Sequence, residues 1–338
     1  MAACLGVINL AVLHSSVLVP STNPAIVPAA DQSSFIMTST QGRKIALIGA
    51  TGNIGTPTLN ALLAKKIHTI TVILRPESTA TLPPDVIVKK GALDDEAFLT
   101  SALEGQDVLL VQAAISVMEL QDGFIRAAAA AKVEYVLPTE FGSDPEARFI
   151  DQFELLVQKK ARKQLIEELG VSSWIGVVTN QWLDFCLPYG LYAINSKDRK
   201  ATLFDGGNTK FVTATYGRIG QAVAELLSLP KEELAAYKNK HLYVTSFHIT
   251  QRELLDSIQR ATGTTDEDWE IVSASSDEIE KKYLETAQKG DQESWMFTFA
   301  MYHYRQGWGG DFSHKSDMSK FGFEQEDLDE TVKRVLGL

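Results

Sequence analysis

Lys44-Ile45-Ala46-Leu47-Ile48-Gly49-Ala50-Thr51-Gly52-Asn53-Ile54-Gly55 is the stretch on which the fold turns. Its first five residues read as a short buried strand, and the helix-period segment 53–66 follows directly. Between them stand three glycines. Gly49 permits a tight turn, Gly52 lets backbone approach a pyrophosphate, and Gly55 lets the helix pack close against its strand. A helix starting there aims unpaired N–H groups and the positive end of its dipole at the same point. Thr51, Asn53 and Ile54 complete the loop. Strand, loop and helix in this order predict a dinucleotide site.

Working outward, short apolar runs recur at Thr69–Leu74, Val86–Lys89, Asp107–Gln112, Glu134–Leu137 and Ser173–Val178. Helical patterns lie between them at 95–104, 119–131 and 150–169. That alternation predicts a Rossmann-type doubly wound parallel α/β sheet over 43–180. In 150–169 the residues Phe149, Phe153, Leu156, Ala161, Leu165 and Leu169 form one apolar stripe, and Gly170 suits a left-handed C-cap. After 180 the rhythm changes. Residues 204–208 read as a turn between two strands, and Tyr216–Leu229 as a helix stopped by Pro230. Leu242–Phe247 reads as a strand, and 249–261, 276–288, 291–305 and 326–336 as helices. This smaller C-terminal α/β region, 181–338, is expected to bind substrate and to interleave with the first.

The 338 residues are 45% hydrophobic and 22% charged, enough for a globular core. Net charge is −11, and residues 251–338 alone hold 19 acids against 10 bases. No basic face suggests a nucleic-acid partner, and the acidic quarter reads as solvated helix surface. Two cysteines, Cys4 and Cys186, exclude a disulfide framework or a cysteine zinc cluster, and no His-x-x-x-His pair suggests a metal. Residues 1–42 carry no Lys or Arg, and Leu5–Val19 is too short and interrupted to span a bilayer. They read as a disordered extension to a cytoplasmic enzyme starting near Met37, with a cleaved targeting peptide as the alternative. No membrane partner is expected, and the chain is expected to be a monomer or homodimer.

The second strand ends Leu74-Arg75-Pro76-Glu77-Ser78. Arg75 stands where NAD-preferring folds place an acid for the ribose 2′-hydroxyl; arginine there accommodates a 2′-phosphate, with Ser78 adding a hydrogen bond. NADPH is expected ahead of NAD, which Glu77 keeps open. Ala113, after the fourth run, joins the cofactor set. Leu93-Asp94-Asp95 either lies by the adenine or caps the next helix. None of the nine tyrosines has a lysine four residues later, so the Tyr-x-x-x-Lys dyad is absent. In its neighbourhood stands Lys159-Lys160-Ala161-Arg162-Lys163, where Lys159 and Lys163 share a helix face. A solvated basic face is the plain reading; the position, on the helix after strand five, favours function.

Gly49–Gly55, Arg75, Pro138-Thr139-Glu140-Phe141-Gly142-Ser143-Asp144 and Lys159–Gly170 together resemble the isoflavone reductase-like family. That family includes phenylcoumaran benzylic ether and pinoresinol–lariciresinol reductases, within the NmrA-like group of atypical short-chain dehydrogenases. The resemblance is good over 43–190 and loose elsewhere. It implies NADPH-dependent hydride transfer to an aromatic, phenylpropanoid-like molecule of secondary metabolism. It also implies a single lysine as acid/base, which falls on Lys159, with Lys160 the one-residue alternative. Phe141 then packs near the nicotinamide, or is plain core. Asn180 matches the asparagine after strand six, while Trp182-Leu183-Asp184-Phe185 replaces the family's Phe-Ala-x-Tyr, so Trp182 and Phe185 bear on substrate identity. Trp295, Phe299, Tyr302 and Trp308 are further candidates for an apolar pocket. The alternative is an NAD(P)-sensing regulator without turnover; a sugar-nucleotide epimerase is disfavoured by the missing dyad.

Overall fold

Lys44–Ile48 forms β1 and Gly55–Ala64 forms α1, joined by the glycine loop. The computed structural model describes residues 40–113 and 115–338. The extension expected over 1–42 therefore lies outside the described residues as far as 39; of its remainder, Gln41 N–H donates to the Ser228 carbonyl at 2.9 Å. Then come β2 (Thr69–Leu74), β3 (Ile87–Lys90), α2 (Glu96–Leu103), β4 (Val108–Val111), α3 (Gln121–Ala130), β5 (Tyr135–Leu137), α4 (Glu154–Leu169) and β6 (Ser173–Val178). A seventh strand arrives from farther along, after β7 (Gln181–Trp182), α5 (Leu183–Cys186), β8 (Ile194–Asn195), β9 (Lys200–Phe204), β10 (Phe211–Ala214), α6 (Tyr216–Ser228) and α7 (Lys231–Ala235). It is β11 (Lys240–Tyr243), and it pairs parallel to β6.

The large sheet runs β11-β6-β5-β4-β1-β2-β3, every pair parallel. Its inner strands are apolar on both faces because both are covered, while the edge strands β3 and β11 carry lysines and are partly exposed. Ile45, Leu47, Val72 and Leu110 pack with Leu59 and Leu62 of α1 and Ile219 and Val223 of α6. Their alternates Ala46, Ile48, Leu109 and Val111 pack with Leu99 of α2, Phe124 of α3 and Ile166 of α4. The strand order reverses at β1, with β2 on one side and β4 on the other. In open α/β sheets that switch point opens a crevice beyond the strands' carboxyl ends.

The chain completes with β12 (Phe247–Ile249), α8 (Gln251–Thr262), β13 (Glu270–Ala274), α9 (Ser276–Gln288), α10 (Gln292–Tyr304) and α11 (Leu328–Leu336). Two small sheets, β12-β10-β7 and β13-β9-β8, serve this half. The single strand expected over 242–247 is two. Val244 N–H bonds the Val178 carbonyl, extending the large sheet, whereas Ser246 N–H bonds the Thr213 carbonyl in the small one. The chain changes sheets in between.

Candidate active site

The glycine loop lies at the switch point. Gly49 has φ +87°, and a Cβ there would stand 2.3 Å from the carbonyl oxygen of Gln112, the residue that follows β4. A Cβ on Gly55 would stand 1.9 Å from the Gly49 oxygen. Both neighbours are backbone and cannot move aside, so the chain needs glycine at both places. Gly52 N–H closes the turn on the Gly49 oxygen at 3.1 Å. At Ile54, α1 begins with no side-chain cap and no acid in its first turn, leaving its amide end unneutralised.

Gly49, Thr51, Gly52, Arg75, Ser78 and Ala113 line one cleft of about 250 Å³. Leu93 and Gln112 join them. The Gln112 side chain donates to Thr58 Oγ1 at 3.0 Å, and its buried carbonyl oxygen has no partner. Arg75 is exposed and lies 3.3 Å from Glu77, and Ser78 N–H bonds the Arg75 carbonyl in the same turn. Two expected residues are arranged otherwise: Ile54 is buried at the start of α1, and Asn53 hydrogen-bonds Tyr216. Of the two readings of 93–95, the cap holds for Asp95, which accepts from Ala97 and Phe98 N–H at the start of α2, while Leu93 lines the cleft. The cleft fits a dinucleotide: a cradle that Cβ atoms would fill, an open helix N-terminus and an exposed guanidinium in its wall.

Phe141 and Lys159 line a second cavity of about 240 Å³. The backbone turns sharply after β5, with Phe141 at φ +37°, and Gly142 bridges to Val178 of β6. Leu156, Arg162, Lys163 and Ile166 are the buried residues of α4, so its inward face carries charge where the apolar stripe placed Ala161 and Leu165. Arg162 donates to the Met118 carbonyl at 2.8 Å. Lys163 pairs with Glu140 at 3.0 Å, both side chains below a tenth exposed, and donates to His241 Nε2 at 3.1 Å. Burial, with Lys163 adding to it, holds the His241 ring down to about 4, which keeps it a neutral acceptor.

One turn earlier on that face, the Lys159 ammonium donates to the Glu140 carbonyl and stands 3.3 Å from where a Gly142 Cβ would be. Burial lowers its pKa from 10.5, Glu140 opposing and Lys163 and Arg162 assisting. Lys160 is rotated away, exposed and 2.9 Å from Asp151.

The rest of that cavity is mostly apolar, with Leu156, Trp182, Phe185, Trp295 and Phe299 among its walls. Trp182 spends its indole N–H on Thr179 at 3.0 Å and packs edge-on to Phe185. Asn180, with φ +52°, donates to the Val212 and Gly310 carbonyls at 3.1 and 2.7 Å, leaving its buried oxygen without a partner. Tyr302 and Trp308 are a correction: they stack on each other at 4.7 Å away from the cavity, and the tyrosine hydroxyl is held by Glu280. Ser143, Gln181 and Cys186 are lining residues that the sequence did not single out. Burial pushes the Cys186 thiol up to about 12, which keeps it unreactive. Beyond Phe185 and Trp295 lies a wider vestibule of about 610 Å³ with Tyr189 at its rim. Among the described residues no cluster of acids, His or Cys could hold a metal, and no helix is long and apolar enough to cross a membrane.

Known proteins carry the same frame. A family model described as the NmrA-like family matches residues 41–287. Oxidoreductase poxI of Penicillium oxalicum is 28% identical over 311 residues, covering 87% of this chain and 94% of that protein. Oxidoreductase aprR of Aspergillus flavus is 25% identical over 278 residues, 80% of this chain and 90% of its own. Among solved structures, AtPrR2 with NADP+ and (+)pinoresinol superposes with a TM-score of 0.70 at 20% identity, over 87% of this chain and 99% of that one. Leucoanthocyanidin reductase with NADPH from Vitis vinifera gives 0.69 at 17%, over 87% and 100%. A chain whose family model spans most of its length, and whose fold agrees with these structures, belongs to the NmrA-like family.

Proposed function

We propose that this chain is an NADPH-dependent oxidoreductase that reduces an aromatic small molecule, with Lys159 as the acid. The reading rests above all on one placement: a buried ammonium with a lowered pKa in the wall of an otherwise apolar, aromatic-lined cavity. When bound, the cofactor supplies a hydride from C4 of its nicotinamide. The loop at Gly49–Gly55 and the amide end of α1 cradle the diphosphate, and Arg75 meets the 2′-phosphate. Trp182, Phe185, Trp295 and Phe299 hold an aromatic ring and keep water from it. Lys159 Nζ, steadied by the Glu140 carbonyl, gives its proton to the substrate oxygen on which charge grows. A positioned acid of this kind contributes ~10²–10⁴-fold in rate. The names of the oxidoreductase relatives and of the NADP-bound neighbours support the same class.

The test is NADPH oxidation by the purified full chain over a panel of aromatic enones and benzylic ethers. Turnover that Lys159→Ala removes while NADPH affinity stays is the expected result. Turnover unaltered in that variant removes Lys159 from the mechanism; coenzyme binding with no turnover on any member favours a regulator that senses the coenzyme.

A further inference from the structure

Ser143, in the wall of the second cavity, forms with His303 behind it a polar pair whose hydrogen-bonding sense is fixed by its surroundings. His303 of α10 is buried, with Phe149 and Phe299 rings at 4.9 and 4.6 Å. Its Nδ1 lies 2.8 Å from the Phe299 carbonyl oxygen. A carbonyl can only accept, so Nδ1 carries the proton. Burial holds the ring pKa down to about 4, so the imidazole is neutral at pH 7 and Nε2 is bare. Ser143 Oγ lies 3.1 Å from that Nε2 and must donate to it. The serine proton is therefore committed, and the oxygen keeps only lone pairs for anything else. Ser143 is part of the cavity wall, in the loop that also carries Gly142 beside the Lys159 ammonium. Asn180 gives the same wall a second oxygen without a donor, its amide N–H groups being spent on Val212 and Gly310.

The geometry points to Ser143 as the residue that selects ligands bearing a free hydroxyl: with its own proton held by His303, its oxygen accepts a hydrogen bond from a phenolic or alcoholic O–H. His303 is the positioning residue, acting through Ser143. A methyl ether at that place sets its oxygen against the Ser143 oxygen, acceptor against acceptor, because the serine proton is held by His303. In a mostly apolar cavity, neither of these two oxygens then recovers from the other the hydrogen bond it had in water. The inference rests on the proposed reading only in taking this cavity as the ligand's place.

Affinity tests it without requiring turnover. Binding of three matched pairs, 2-naphthol with 2-methoxynaphthalene and the 4-hydroxy and 4-methoxy forms of chalcone and of stilbene, is followed by quenching of tryptophan fluorescence in the full chain. The phenols are expected to bind about tenfold more tightly than their ethers. Ser143→Ala should bring the ratio close to one. His303→Phe, which frees the serine proton to donate, should narrow it to within about threefold. Equal affinity for phenol and ether in the unaltered chain, a preference that survives Ser143→Ala, or no affinity for any phenol overturns the assignment. Selective phenol binding without NADPH oxidation would leave this assignment standing while the proposed function falls. Indiscriminate binding with turnover would do the reverse.

Discussion

Removing the Lys163 ammonium should unsettle the fold more than any other single charge in α4. Its nitrogen is 3.0 Å from Glu140 Oε1, and the two side chains are 9% and 5% exposed. The approach is off the line of a good hydrogen bond, so the attraction is mainly Coulombic. At an effective dielectric of ~20 that attraction is about 5 kcal/mol, and stranding one member of a buried pair typically costs about 3–5 kcal/mol. Lys163→Met leaves the Glu140 carboxylate without its cation and His241 Nε2 without its donor. A stranded carboxylate is relieved by taking up a proton, which the unfolded chain does not need at the same pH. In that window the folded variant binds more protons than the unfolded chain, so its stability falls as pH rises. Urea unfolding should therefore show a smaller loss at pH 5 than at pH 8. Adding Glu140→Gln removes the stranded charge and should recover all but about 1 kcal/mol, the share of the histidine's lost donor. A loss below about 1 kcal/mol at both pH values, or a double variant no more stable than the single one, would refute the reasoning.

Other consequences are simpler to read. Arg75→Ala should weaken NADPH about tenfold or more while leaving NADH nearly unchanged, because only the 2′-phosphate gains a charge-assisted contact there; the ratio of kcat/KM for the two coenzymes measures it. If the Lys159 ammonium is the working acid, kcat/KM should fall as pH rises through a value below 10.5, the direction set by its burial; a profile flat up to 10.5 would contradict that role. Burial also holds His68, His241 and His303 down to about 4 in the folded chain. Between the unfolded value of 6.5 and that figure the unfolded chain binds more protons, so stability should be lost as pH falls across the window. Thermal unfolding at pH steps from 7 to 4 checks this.

The large sheet was legible because a strand buried on both faces has to be apolar throughout, and Lys44–Ile48, Thr69–Leu74 and Ser173–Val178 form strands over the expected bounds. The second half resisted for a physical reason. Its strands are short, and their partners are remote: β9 pairs with β13 about seventy residues on, so no local pattern sets the register. The break in 242–247 is likewise invisible locally, since every residue there is strand-like and only the change of partner sheet divides them. Lys163 and Arg162 read as solvent-facing because charge usually is. What compensates them is remote in sequence: Glu140, 23 residues before Lys163, and the Met118 carbonyl, 44 residues before Arg162. Trp295 and Phe299 form a helical i, i+4 pair, and His303 continues that row; extending the stripe by one step would have found it. Tyr302 lies off that row and stacks with Trp308.

The glycine cradle is where the account is most exposed. Calorimetric titration of the full chain with NADPH, beside a Gly55→Ala variant whose folding is verified by circular dichroism, tests it directly. A Cβ 1.9 Å from the Gly49 oxygen cannot be accommodated with the loop in place. The unaltered chain should release or absorb heat on saturable binding of NADPH, and the variant should bind it at least tenfold more weakly. A folded, unaltered chain giving no heat with NADPH or NADH would contradict the central claim, as would a Gly55→Ala variant that binds as well as its parent.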